Sequence, residues 1–180
     1  MTKPKISSDW LAACAGCHMS LLDIDERIIE IAELVDIRAT PITDLKEPDE
    51  SGVEVGILTG AVNLDHHEKV AQRMRERSKI LVSFGDCAVF GGVAALRNLC
   101  GLQAALQRAY IETESTDDSG QIPSNTELGV PIEVRALHEV VDVDVYLPGC
   151  PPDPDTIYYA LSELAQGRIP EVDGDHLQWH

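Results

Sequence analysis

Four of the five cysteines in this 180-residue chain stand in short motifs whose residues could hold a metal centre. They are Cys14 and Cys17 in Cys-Ala-Gly-Cys-His, Cys87 in Gly-Asp-Cys, and Cys150 in Pro-Gly-Cys-Pro-Pro. A glycine lies in or beside each motif, and glycine lets the backbone approach a bulky cluster and donate N–H groups to its sulfurs. A proline after the last cysteine is also seen in cluster-binding runs. The pattern therefore favours an iron–sulfur cluster bound by four thiolates.

Three other kinds of site fit part of this pattern. Cys-x-x-Cys-His is the attachment signature of c-type haem, but that chemistry needs export, and the N-terminal residues show no export signal. A thioredoxin-like dithiol would use Cys14 and Cys17 and leave Cys87 and Cys150 without a role. All-cysteine zinc sites usually consist of two close pairs, whereas here one pair is joined by two distant single cysteines. Zinc and a redox dithiol stay open as alternatives to the iron–sulfur centre.

The elements that must position the cysteines follow from the apolar pattern. Strands are predicted over residues 6–13, 35–40, 53–60, 80–84 and 143–147, and helices over 20–34, 63–78, 102–110 and 154–166. Ser20 is expected to cap the first of these helices, and residues 112–131 are expected to form one long surface loop. The cysteine motifs follow the first, fourth and fifth strands.

Strands that alternate with helices predict an α/β fold, a flavodoxin-like open parallel sheet with helices on both faces. The length fits one domain over residues 1–180. Ligands of such sheets bind beyond the carboxyl ends of the strands, and all three cysteine motifs would fall at that edge. The fold class and the motifs therefore point independently to the same site.

Charge and composition narrow the function further. The chain carries 14 Lys and Arg against 31 Asp and Glu, and no basic stripe offers the phosphate contacts that nucleic-acid binding needs. No apolar run approaches the roughly 20 residues of a membrane span. We therefore expect no nucleic-acid partner, no membrane span and a cytoplasmic location. Five cysteines in such a chain favour metal or redox chemistry over a disulfide framework.

Taken together, the three motifs resemble those of the small subunit of nickel–iron hydrogenases. They occur in the same order, the resemblance runs from the first predicted strand to the last helix, and Pro-Gly-Cys-Pro-Pro is its most specific part. The run Cys-Ala-Gly-Cys-His-Met-Ser-Leu-Leu looks most like the small subunits of soluble, NAD-reducing hydrogenases. The related 20 kDa subunit of respiratory complex I typically has adjacent cysteines at the first site, which Cys14 and Cys17 are not.

The resemblance implies one proximal [4Fe–4S] cluster ligated by Cys14, Cys17, Cys87 and Cys150. It implies a large subunit that holds the nickel–iron centre and splits hydrogen, and diaphorase subunits with flavin and iron–sulfur clusters that reduce NAD. This chain would then be the electron relay of a hydrogen:NAD+ oxidoreductase and would carry no catalytic residue itself. The alternatives are the small subunit of another cytoplasmic nickel–iron hydrogenase with a different acceptor and a stand-alone four-cysteine redox or zinc module. A flavin (FMN) in the flavodoxin-like crevice also has family plausibility.

Residues around the motifs carry further expectations. Asp86 and His18 are candidates to tune the cluster through charge or hydrogen bonds, against a capping Asp and a partner-facing His as the plainer roles. Cys100 is expected to be a buried thiol. Trp10 is expected to pack in the core, and packing over the cluster or at the large-subunit interface is the alternative. His66 and His67 are expected at the solvated start of a helix.

Overall fold

Seven strands form in the part of the chain that the computed structural model describes, residues 3–42, 44–46, 48 and 50–177. They are β1 Lys5–Trp10, β2 Asp36–Ala39, β3 Val53–Thr59, β4 Val62–Leu64, β5 Ser78–Phe84, β6 Pro131–Arg135 and β7 Val145–Leu147. Five of them pair in parallel in the order β2-β1-β3-β5-β7, which is the flavodoxin-like strand order. The predicted fold class is therefore confirmed. The remaining strands, β4 and β6, pair antiparallel in a small separate sheet.

Six α-helices lie in the described ranges. They are α1 Gly16–Leu22, α2 Arg27–Leu34, α3 Asp65–Arg77, α4 Asp86–Phe90, α5 Leu102–Tyr110 and α6 Pro154–Ala165. Short 3₁₀ helices span Gly92–Leu99, Thr126–Leu128, Leu137–Glu139 and Gly174–His176. Asp153 accepts N–H bonds from the first turn of α6, and Pro154 occupies a helix start where its missing N–H costs nothing.

The sheet is buried on both faces, as the near-continuous apolar run of β3 predicts. Val55 and Ile57 of β3 pack with the apolar residues of α2 and α6 in one core cluster. Leu58 packs with Val70 and Met74 of α3 in the other cluster, on the opposite face. Each fully buried side chain of this size stabilises the fold by about 1.5–3 kcal/mol, so both faces hold the sheet in place.

The register of the parallel sheet aligns the carboxyl ends of four of its five strands, β1, β3, β5 and β7. Trp10 pairs with Thr59, Thr59 with Phe84, and Phe84 with Leu147. These four residues form one row across β1, β3, β5 and β7, so the segments that follow them leave the sheet side by side. The three cysteine motifs are thereby brought to one edge.

Some sequence-based boundaries were wrong. The helix predicted from Ser20 is two helices: α1 begins at Gly16, and a turn with Asp25 in a left-handed conformation (φ 56°) separates it from α2. Ser20 is therefore not a cap but a buried residue within α1. β1 ends at Trp10 instead of residue 13, and β7 begins at Val145 instead of residue 143.

The polar region 112–131 is a loop for most of its length. It contains the 3₁₀ turn Thr126–Leu128 and then leads into β6 at Pro131. Strands β4 and β6 were not predicted, because each is short and neither alternates cleanly in polarity.

No single helix in the described ranges is long and apolar enough to cross a membrane. The segments Asp86–Leu99 and Leu102–Tyr110, bent by 73°, reach that length and apolarity only when taken together.

Candidate metal centre

One surface pocket at the carboxyl edge of the sheet is lined by all four predicted cysteines. Cys14, Cys17, Cys87 and Cys150 line it together with Asp86 and neighbouring backbone. Cys17 and Cys87 are half-buried, whereas Cys14 and Cys150 are exposed. The pocket is therefore closed on the side of the sheet and open on the side of the solvent.

The fifth cysteine lies elsewhere and differs from the prediction. Cys100 is exposed, and its thiol donates a hydrogen bond to the carbonyl oxygen of Arg97 at 3.3 Å. The apolar neighbour Leu99 is itself exposed, with 86% of its surface accessible, and Leu102 is only partly buried. Cys100 therefore contributes nothing to the pocket.

The loop that carries Cys14 is fixed by backbone pairing with the segment after β3. Ala12 and Ala61 exchange N–H···O bonds at 3.0 and 3.1 Å. The approach is so close that a Cβ on Gly60 would lie 2.7 Å from the carbonyl carbon of Ala12. Glycine is required at this position, because no side chain fits between the two segments.

Cys17 is placed by the start of α1. Ala15 adopts a left-handed conformation (φ 67°), which turns the chain sharply from the Cys14 loop into the helix. Cys17 then lies in the first helical turn, and the N–H of Gly16 points at the Cys14 sulfur at 3.4 Å. Both thiols of the Cys-x-x-Cys motif thus face the same pocket.

Two glycines make room for sulfur around the Cys87 loop. Gly85 has φ 85° and ψ 158°, and a Cβ there would collide with the Cys17 sulfur. Gly92 has φ 52°, and its Cβ would lie 2.7 Å from the Cys87 sulfur. The backbone therefore surrounds two of the sulfurs closely, as a cluster cradle requires.

The Cys150 loop is tied to the Cys87 loop by paired hydrogen bonds. The Asp86 carboxylate accepts from the Gly149 N–H at 2.7 Å, and the Asp86 N–H donates to the Gly149 carbonyl at 2.9 Å. Asp86 is thus a residue that positions the third motif as well as a charge at the pocket. The Cys150–Pro151 peptide is cis.

A second tether joins the Cys150 loop to α1. The buried hydroxyl of Ser20 donates to the carbonyl of Pro152 at 2.7 Å. The local pattern predicted a capping role for Ser20, and only the folded arrangement brings it to residue 152.

The four thiols and Asp86 lie close enough for their charges to interact. Burial, followed by the negative charges of Cys87, Cys14, Cys150 and Asp86, raises the pKa of Cys17 to about 12. Burial also raises the pKa of Cys87, with the charges of Cys150, Cys14 and Asp86 acting in the same direction and the Val93 N–H opposing them. Without a cation these thiols hold their protons, so iron must displace protons to bind.

His18 faces into the protein, so the partner-facing role considered for it is wrong. The ring is buried, with Nε2 3.1 Å from the Ser8 hydroxyl and Nδ1 3.5 Å from the Thr59 hydroxyl. Burial lowers its pKa, which favours the neutral imidazole. Trp10 meets the His18 ring edge-on at 5.6 Å and is 41% exposed, so its expected core position is also wrong.

The donor set fits an iron–sulfur cluster. Among the described residues, no group of three or more His, Cys, Asp or Glu side chains converges closely enough to hold a single metal ion. A cubane is held differently, because each thiolate binds a different iron atom and the sulfurs need not meet at one point. Four soft thiolates, glycines that clear space beside the sulfurs, and the Gly16 N–H directed at Cys14 suit such a cluster.

A flavodoxin-like fold takes its ligand at the switch point between β1 and β3, where the strand order reverses. Here the Ala12–Ala61 backbone bonds join the segments that follow these two strands. Flavin binding stays a prediction, and this arrangement gives it no support.

Comparison with known proteins identifies the family. Residues 14–164 match the sequence profile of the NADH ubiquinone oxidoreductase, 20 Kd subunit. This chain belongs to that family. The match confirms the resemblance inferred from the three cysteine motifs.

Individual relatives within this 20 Kd family are hydrogenase subunits. The chain is 36% identical over 95% of its length to a subunit of the F420-non-reducing hydrogenase of Methanothermobacter thermautotrophicus, of which it spans 57%. It is 35% identical over 92% of its length to the NAD-reducing hydrogenase HoxS subunit delta of Cupriavidus necator, of which it spans 80%. The chain thus spans little more than half of the first of these relatives.

Solved structures support the same fold. A chain in the crystal structure of an NAD+-reducing [NiFe]-hydrogenase in the H2-reduced state superposes with a TM-score of 0.93 at 34% identity, covering 99% of this chain and 100% of that one. A chain of the [NiFeSe]-hydrogenase of Dm. baculatum superposes with a TM-score of 0.57 at 18% identity, over 98% of this chain and 69% of that one. The second likeness shows the fold alone.

Proposed function

We propose that this chain is the small, electron-transfer subunit of a nickel–iron hydrogenase and holds one [4Fe–4S] cluster on Cys14, Cys17, Cys87 and Cys150. The observation that carries the proposal is that these four thiols, delivered by three separate loops, line one pocket. The fit of the glycines to the sulfurs supports the same ligand set.

When bound, the cluster would supply one-electron storage between a hydrogen-splitting centre on a large subunit and the next acceptor. The chain's own residues hold and shield it. The half-buried Cys17 and Cys87 anchor the inner side, while the exposed Cys14 and Cys150 leave the outer side accessible to partner subunits. The N–H of Gly16 would stabilise negative charge on the Cys14 sulfur.

The proposed acceptor is NAD, reached through diaphorase subunits in a cytoplasmic complex. The superposition that covers the whole of a chain from an NAD+-reducing [NiFe]-hydrogenase supports this assignment. Similar identity to the F420-non-reducing hydrogenases favours a second candidate, a hydrogenase small subunit with another acceptor. The single domain over residues 1–180 is part of the same proposal.

Anaerobic purification with iron and sulfide analysis tests the cluster. We expect four iron and four sulfide per chain and an EPR signal of a reduced [4Fe–4S] centre. Cys87→Ser is expected to lose both the signal and hydrogen-linked electron flow, whereas Cys100→Ser is the matched control and is expected to retain them. Zinc alone in the purified chain would contradict the proposal.

The acceptor is tested separately with the co-purified complex. A larger nickel-containing subunit and H2-dependent NAD reduction are expected. A complex that oxidises hydrogen with artificial dyes but leaves NAD unreduced would support the second candidate and leave the cluster assignment intact.

A further inference from the structure

A cavity of about 20 Å³ lies in the core, between the parallel sheet and helices α1 and α6. We call it the core cavity. Among the residues that line it are three from the sheet and three from α6: Ile57, Val82, Phe84, Ile157, Leu161 and Leu164. These six side chains are all buried. Since about 10–15 Å³ of such space is enough for one water-sized particle, the core cavity can hold a single small molecule.

The lining of the core cavity offers a water molecule no free partner. Apart from Ser8 and His18, every described residue that lines it is apolar. The Nε2 atom of His18 lies 3.1 Å from the Ser8 hydroxyl, so these two polar groups are directed at each other. The buried side-chain oxygen and nitrogen atoms that lack a partner, among the described residues, all belong to residues outside the lining. A buried water typically makes about three hydrogen bonds, so the core cavity stays dry.

The core cavity lies beneath the cysteine pocket, on the side of the core. His18, which lines the cavity, follows Cys17 in α1, and Cys17 packs against the same apolar core cluster. Phe84 and Leu147, which also line it, are the last residues of β5 and β7. The loops that carry the other two inner motifs begin directly after these two strands. A molecule in the core cavity is therefore separated from the cysteine pocket by a layer of protein and not by solvent.

We propose that the core cavity is a binding site for one small apolar gas molecule. Such a molecule needs no hydrogen-bond partner, and it gives the lining atoms dispersion contacts that they lack when they face empty space. The apolar lining contains no group that would distinguish one gas of this size from another, so the ligand is the class and not a single gas. Dihydrogen, which the proposed large subunit would split, belongs to this class. The site itself follows from the packing of the fold and does not depend on the proposed function.

Xenon is the probe, because it is apolar, chemically inert and known to enter dry cavities in protein cores. The full chain is purified anaerobically, and its methyl NMR signals are followed as the xenon pressure rises. Val82→Ile adds one methylene group at a fully buried lining position and fills part of the core cavity, whereas Leu161→Ala enlarges it. Val62→Ile is the matched control, because it makes the same change at a fully buried position in the other core cluster.

We expect the methyl signals of Ile57, Ile157 and Leu164 to shift and to reach a plateau with xenon pressure in the wild type and in Val62→Ile. The shifts should be lost in Val82→Ile and should reach their plateau at lower pressure in Leu161→Ala. If Leu161→Ala does not fold, the contrast between the two isoleucine variants decides.

Three results would overturn the gas site. They are wild-type signals that show no plateau, shifts in Val82→Ile equal to those of the wild type, and nuclear Overhauser effects from water to the lining methyl groups, which would show a hydrated cavity. The proposed function is tested apart from the gas site. A chain that binds xenon in the core cavity but holds no iron would support the gas site and overturn the proposed function alone.

Discussion

Asp86 and Gly149 are joined by two hydrogen bonds that run in opposite directions, one to the Asp86 carboxylate and one from its backbone N–H. Oδ1 of Asp86 accepts from the Gly149 N–H at 2.7 Å, and the Asp86 N–H donates to the Gly149 carbonyl at 2.9 Å. The residue before one cysteine is thus fixed to the residue before another. This pairing sets the spacing between Cys87 and Cys150.

Two substitutions of Asp86 distinguish the effect of its hydrogen bond to Gly149 from the effect of its negative charge. Asp86→Ala leaves the Gly149 N–H without its partner, so we expect a loss of about 1–3 kcal/mol in the free energy of unfolding and a fall in bound iron. Asp86→Asn keeps an oxygen that can accept the bond but removes the negative charge. Because that charge raises the pKa values of Cys17 and Cys87, the Asn variant should retain its cluster at a higher reduction potential. Urea unfolding and EPR-monitored titration measure these effects; equal iron loss in both variants would show that charge, not tethering, is the main role.

Gly85→Ala should disrupt the cysteine pocket by a steric clash, in addition to straining the backbone at residue 85. The new Cβ would collide with the Cys17 sulfur. Gly101→Ala is a matched control, because Gly101 has almost the same backbone angles (φ 82°, ψ 151°) and open space around it. Both variants should lose about 1–3 kcal/mol, since this region of φ and ψ is essentially restricted to glycine. Only Gly85→Ala should lose iron, and equal iron content in the two purified variants would contradict the close packing of backbone against sulfur.

Acid should destabilise the fold through His67. The ring is half-buried, and burial, followed by the charge of His66, lowers its pKa from 6.5 to about 4. The unfolded chain therefore binds a proton at a higher pH than the folded chain, so stability falls as pH drops from 6.5 towards 4. The partly exposed ring limits the effect to on the order of 1 kcal/mol.

His67→Gln should flatten this part of the stability profile, whereas His66→Gln, at the exposed neighbouring position, should largely preserve it. Urea unfolding of the metal-free chain at pH 7, 6, 5 and 4 provides the measurement. Parallel profiles for wild type and His67→Gln would assign the acid sensitivity to other groups.

Ser20→Ala should weaken the tether between α1 and the Cys150 loop. The buried Ser20 hydroxyl donates to the Pro152 carbonyl at 2.7 Å, so its removal leaves that carbonyl without this donor. We expect a loss of about 1 kcal/mol in the free energy of unfolding and faster release of iron to a chelator. Ser119→Ala, in an exposed loop, should change stability by less than about 0.5 kcal/mol. Equal chelation rates for the two variants would show that the tether does not hold the loop.

The sequence was sufficient to predict the parallel sheet and the edge at which the cysteines meet. A near-continuous apolar run of strand length, such as that of β3, is typical of a parallel strand that is buried on both faces. The order of the cysteine motifs after the strands then placed them at one edge. The position of the cysteine motifs depends on the order of strands and helices, and the apolar periodicity of the sequence predicts that order.

The residues that refine the site could not be predicted in the same way. Ser20 contacts Pro152, and Asp86 contacts Gly149, across long separations in sequence that no local pattern encodes. Cys100 was wrongly assigned to the core because its apolar neighbours also face outwards. Burial of His18 likewise follows from the packing of α1 on the sheet and not from its position after Cys17.

The distribution of the four thiols along the chain has a consequence for biosynthesis. Cys14 and Cys17 emerge early from the ribosome, but the pocket lacks Cys150 until β7 has paired at the edge of the sheet. Before that point, iron delivered to the nascent polypeptide would find at most three of its four ligands. The complete set of four ligands therefore forms only when the sheet has assembled as far as β7, and in the assembled fold the thiols of Cys14 and Cys150 are still exposed.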